Sequence, residues 1–216
     1  MNALSQGLPV MALAHFYGVA IAGYYAFGMR LLQVPMNFFL TSIRQVLFQK
    51  LSHIRANGGD LYFPFLKSTG GLFAISFLPG CLGLILAPAL FAWIFGERWR
   101  EAGEFGRWLI LWLIPAFCNV PSTLSLRIVR LQRDFFLYDA ALLTARAAVL
   151  ILGGHWFSSL NTVIALSVVG ALFNSGLILF TGARLRSIHK NTAPQTVPLS
   201  STLVERAPGG EAQPLS

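Results

Sequence analysis

Tyr24–Phe48 reads YYAFGMRLLQVPMNFFLTSIRQVLF, and Arg30, Gln33, Asn37, Thr41 and Arg44 recur through it at steps of three and four residues. The stretch is apolar enough, and longer than the roughly 20 residues needed, to cross a bilayer as a helix. Steps of three and four place those five side chains on one stripe of that helix. Hydrocarbon does not tolerate such a stripe, so it faces a water-filled cavity or other protein. A cationic stripe on a membrane helix points to an anionic ligand that is moved or held.

The rest of the chain fits this reading. Of 216 residues, 55% are hydrophobic and 11% charged, and the mean hydropathy is +0.63. So few charges do not cover a soluble globule of this size, and the chain reads as an all-α integral membrane protein. The net charge of +8 would suggest nucleic acid in a soluble protein. Here the basic residues gather at the ends of apolar segments, as membrane orientation requires, and no nucleic-acid partner is expected.

About six transmembrane helices are expected, at 4–17, 24–48, 72–95, 108–126, 136–156 and 162–181, forming a bundle over 1–190. The first is short. GVAIAG (Gly18–Gly23) reads as the turn before the second. The fourth is closed by Arg127, Arg130 and Arg133, and the last two form a hairpin around GGHWFSSLN. No basic residue precedes the apolar part of the first segment, so it reads as a span and not as a secretory signal. From Asn191 to Ser216, Pro194, Pro198, Pro208 and Pro214 alternate with Ser, Thr, Gly and Gln, and this composition predicts a disordered tail.

Lys50, Arg55, Lys67, Arg127, Arg130, Arg133, Arg184, Arg186 and Lys190 lie in one set of connections, and Arg98, Arg100 and Arg107 in the other. By the positive-inside rule the first set, with both termini, is cytoplasmic, giving a multi-pass protein of the bacterial plasma (inner) membrane.

Enzymatic signals are absent from this sequence reading. There is no HExxH, GxSxG or phosphate-cradling glycine run, and His15, His53, His155 and His189 stand apart. No catalytic residue, metal ligand or cofactor is therefore assigned. Cys81 and Cys118 lie inside apolar stretches and read as packing residues.

What remains are polar groups at membrane depth. Arg30, Gln33 and Asn37 are candidate ligand contacts, with Thr41 one turn further on, and snorkelling to the outer headgroups is the competing reading of Arg30. Hydrogen bonding to neighbouring helices is the competing reading of the three uncharged ones, at about 0.6 kcal/mol each. Arg44 sits where an arginine snorkels to the cytoplasmic boundary. Arg146 is the fifth candidate. Asp139 lies two turns before it, so the two form a buried pair, or Arg146 anchors the cytoplasmic side of its span. Asn119 and Asn174 read as interhelical contacts. Pro35, Pro79, Pro88, Pro115 and Pro121 interrupt the spans at places where helices bend.

The order of these features resembles a known family. GYYAFGMRLLQVP, a polar helix ending in QVLFQKLS, and FGERWREAG after a long apolar span are similar to the seventh to ninth spans of bacterial polysaccharide flippases. These are the O-antigen and exopolysaccharide exporters of the multidrug/oligosaccharidyl-lipid/polysaccharide superfamily. The resemblance runs from about Leu4 to Arg186. It implies one lobe, the C-terminal one, of a twelve- to fourteen-span flippase, and a substrate of sugars on a polyprenyl diphosphate moved by alternating access. Arg30 matches the arginine that lines the central cavity of the lipid II flippase, which gives it the role of holding diphosphate oxygens. Gln33 and Asn37 would then contact phosphate or sugar.

The implied partners are the lipid-linked oligosaccharide, membrane lipid, and either an N-terminal lobe or a second copy of the chain. A truncated product, a mis-assigned start and a half-transporter are the three explanations for the single lobe. A membrane assembly or scaffold subunit that transports nothing is the alternative function, and a lobe of a multidrug antiporter a further one.

Overall fold

The computed structural model describes residues 3–129 and 131–192, which are helical apart from short turns. Seven α-helices follow in order: α1 Ala3–Tyr17, α2 Val19–Ala56, α3 Tyr62–Phe95, α4 Arg100–Cys118, α5 Val120–Ile128, α6 Gln132–Trp156 and α7 Ser159–Thr192, with a short 3-10 turn at Glu97–Trp99. All six expected spans fall on helices, the fourth shared between α4 and α5. Four helical segments are long and apolar enough to cross a membrane: Tyr62–Phe95, Glu97–Ile128, Gln132–Trp156 and Ser159–His189. At 15 residues α1 is short. At 38 residues α2 has the length, about 57 Å at 1.5 Å per residue, but against expectation it is not among these four, because its polar stripe dilutes its apolar content.

Two expected turns shrink. GVAIAG is not a turn: only Gly18 lies outside helix, and α2 starts at Val19. Gly18 has φ 93° and ψ 163°, a region essentially closed to residues with a Cβ, so one residue suffices to reverse the chain. Tyr17 fixes this corner. Its phenol oxygen lies 2.7 Å from the Gly153 carbonyl, 2.9 Å from that of Phe157 and 2.6 Å from Thr162 Oγ1. The hairpin in GGHWFSSLN likewise narrows to residues 157–158. In the fourth span the helix breaks at Asn119, between Pro115 and Pro121. Of the expected tail, Asn191 and Thr192 end α7; the remainder, and Arg130, lie outside the described residues.

The α4–α5 segment is the central post. In its most apolar window 72% of residues are buried, against 22%, 17% and 33% for the other three long segments. Helices α2, α3 and α7 all pack on α4. Two apolar clusters stack along it. One gathers Leu13, Tyr25, Leu109, Trp112 and Leu150 near the Gly18 corner. The other gathers Leu40, Leu51, Phe65, Phe117 and Leu124 towards the opposite end.

The approach of α3 to α4 depends on Gly103, where a Cβ would lie 2.6 Å from Pro88 Cα and 2.8 Å from the Ala87 carbonyl oxygen. Small residues let membrane helices approach this closely. Gly103→Ala should therefore force the two backbones apart at a cost of about 1–3 kcal/mol and lower the melting temperature in detergent. Gly70→Ala, with nothing within 4 Å of the new methyl, should melt at or above the wild type. Equal melting of the two variants would contradict this packing.

Candidate functional site

The face of α2 turned towards α4 carries Ala22, Tyr25, Gly28, Leu40 and Leu51, all buried. The stripe lies off that face. Arg30, Asn37, Thr41 and Arg44 are exposed and Gln33 is half-buried. No described helix covers them. The Thr41 hydroxyl donates 2.8 Å to the Asn37 carbonyl one turn back on its own helix, leaving it only an acceptor's role towards any ligand.

The stripe continues beyond Arg44. Phe48, Ser52 and Arg55 extend the same spacing, and Arg30 and Arg55 are close to seven full turns apart, within about 20° of one another. These three residues form one side of a cleft of 1080 Å³ between the C-terminal half of α2, α5 and the start of α6. Arg127 of α5 and Gln132 and Asp139 of α6 complete its polar lining. Two arginines against one aspartate leave the cleft cationic. On its other flank α2 borders a groove of 650 Å³ shared with α3 and α4, where Pro35, Met36, Phe39, Pro79 and Ile114 leave Ser76 as the one polar side chain of the lining. One helix thus separates a cationic cleft from an apolar groove.

Arg146 does not join the stripe. It is 6% exposed, and its guanidinium carbon lies 4.9 Å from the centroid of the Trp112 ring of α4. Neither expected reading of it holds. A snorkelling anchor needs a route to the interface, and this side chain points into the bundle. A pair with Asp139 needs contact, and no described carboxylate lies within 4.0 Å of it. Asn119 and Asn174 do meet as interhelical partners, Asn119 Nδ2 donating 3.0 Å to Asn174 Oδ1, while Asn174 Nδ2 donates 2.7 Å to the Gly170 carbonyl. No group of three His, Cys, Asp or Glu residues suited to a metal occurs among the described residues.

Sequence reasoning assigned Arg55 and Arg127 to membrane orientation alone and missed them as cleft residues. For Arg55 the signal was present, since it continues the spacing of the stripe. For Arg127 there was none, because the cleft forms only when the break at Asn119 redirects α5.

Residues 1–104 match the model of a family described as polysaccharide biosynthesis protein. The matched stretch holds α1, α2, α3 and the start of α4, so the whole stripe lies inside it and Arg146 outside it. The match supports a role in polysaccharide biosynthesis, and four described helical segments are long and apolar enough to cross a membrane. No curated protein and no solved structure matches the chain significantly.

The cleft geometry predicts a sharp contrast between neighbours on α2. Leu51 is fully buried and Ser52 lines the cleft. A cysteine at 52 should react with a membrane-impermeant maleimide at least tenfold faster than one at 51. Equal rates would mean that α2 is rotated from the orientation described.

Proposed function

We propose that this chain forms one wall of a transporter that moves a polyprenyl-diphosphate-linked oligosaccharide from the cytoplasmic to the outer leaflet of the bacterial inner membrane, with both chain termini cytoplasmic. The observation that carries this reading is the uncovered polar face of α2, which lies within the matched residues 1–104 and turns away from the chain's own core. At membrane depth such a face needs water or protein opposite it. A second lobe or a second copy of the chain, set across a water-filled space, supplies both.

The residues have distinct parts in this reading. Arg30 is a permanent cation whose planar fork suits two phosphate oxygens at once. Gln33 and Asn37 hydrogen-bond phosphate or sugar hydroxyls, and Thr41 accepts from a hydroxyl. Arg55 and Arg127 draw the anionic head into the cleft. The division of α2 between a cationic cleft and an apolar groove suits an amphiphile with an anionic head and a long hydrocarbon chain. The chain makes or breaks no covalent bond in its substrate and needs no cofactor.

The same uncovered face also suits a scaffold subunit whose partner packs dry against the stripe, and two measurements separate the readings. In vesicles holding the chain together with its native partners, Arg30→Ala should slow translocation of the lipid-linked oligosaccharide at least tenfold, with Arg30→Lys between it and the wild type. Unchanged translocation would remove Arg30 from the site. A cysteine at 37 should react with an impermeant maleimide in the intact assembly; protection there would favour the scaffold.

A further inference from the structure

We propose that Arg146 is the centre of a binding site for a phosphate-type oxyanion, set inside the bundle and separate from the α2 stripe. The first support is charge. Arginine stays protonated in proteins, and an ion buried without a counter-ion costs several kcal/mol. The Trp112 face, 4.9 Å from the guanidinium carbon, offers a cation–π contact that offsets part of this cost but brings no negative charge. Asp139, two turns away on the same face of α6, acts on Arg146 electrostatically but makes no ion pair with it. An uncompensated cation of this kind is retained where a ligand brings the missing charge.

The second support is the chemistry of the surroundings. Arg146 Nε and the Tyr138 hydroxyl are both sealed from solvent and have no hydrogen-bond partner. Tyr25 of α2, Tyr138 and Asp139 are the titratable groups that act on Arg146 electrostatically, and Tyr25 is itself only 3% exposed. The Arg146 guanidinium and the Tyr138 hydroxyl thus each leave a buried N–H or O–H donor unused. Buried donors without acceptors suit an oxyanion. Asp139, two turns below on the same face of α6, lines the open cationic cleft. A phosphate group carried by a lipid diphosphate, by a phospholipid head or by a free anion has this chemistry.

The test uses the purified chain in maltoside detergent and phosphate-free buffer, titrated separately with inorganic pyrophosphate, farnesyl diphosphate and phosphatidylglycerol. At least one should bind saturably and raise the melting temperature. Arg146→Gln should weaken that binding at least tenfold and Arg146→Lys by less, while Arg98→Gln, at an exposed position outside the site, stays within twofold of the wild type. Without ligand, Arg146→Gln should melt at or above the wild type, because it removes an uncompensated charge. Preference for farnesyl diphosphate over pyrophosphate identifies a lipid-borne diphosphate, binding of pyrophosphate alone a free anion, and binding of phosphatidylglycerol alone a headgroup. Three results would overturn the site: no binding of any of the three, Arg146→Gln binding within twofold of the wild type, or a sharp loss of melting temperature in that variant without ligand, which would make Arg146 a structural residue. None of these readings depends on translocation, so failure here and failure of the transport reading are separable.

Discussion

Hydrocarbon offers no hydrogen bonds, so each polar group placed at membrane depth has to be answered by protein or by water, and the organisation of this chain follows from where those answers lie. Asn119 is answered by Asn174 across the α4–α7 contact, and Tyr17 by the carbonyls at the end of α6 and by Thr162. Apart from the Thr41–Asn37 bond within α2, no described helix answers the α2 stripe. That contrast sets these paired interior groups, with Arg146 Nε and the Tyr138 hydroxyl as unpaired exceptions, against a face that requires something opposite it.

The central post makes this division possible. Because α4 and α5 bury most of their surface, α2 needs only one face for packing and has two flanks to spare. One flank borders the cationic cleft and the other the apolar groove. Pro35 lies on the groove side and Pro79 opposite it on α3, so the two helices that frame the groove both lack a backbone hydrogen bond there and bend at low cost.

Composition and periodicity were sufficient to read the class, the helical segments and the stripe, because each depends on local spacing. The turns were less legible. GVAIAG contains two glycines, and only the geometry shows that Gly18 alone reverses the chain while Gly23 continues α2. The break at Asn119 has flanking prolines as its signal, but Pro35, Pro79 and Pro88 sit in similar contexts and their helices run on. At the candidate site, the stripe was visible and its continuation to Arg55 was available in the spacing, whereas the contribution of Arg127 depends on α5 and α6 meeting α2 in space. Arg146 was legible as a charge at membrane depth. Its burial against Trp112 was not, because it depends on the rotation of α6 about its axis, and the alternation of apolar residues around that helix is too even to fix it.

The central claim is that the face of α2 bearing Arg30, Gln33, Asn37, Thr41 and Arg44 looks onto water and not onto lipid. A nitroxide scan of residues 29–45 in the intact membrane assembly, comparing collisions with oxygen and with a water-soluble nickel chelate, measures this directly. The account predicts nickel accessibility that oscillates with the period of a helix and peaks at 30, 33, 37, 41 and 44, with oxygen accessibility out of phase. Oxygen maxima at those same positions would place the stripe in lipid and contradict it.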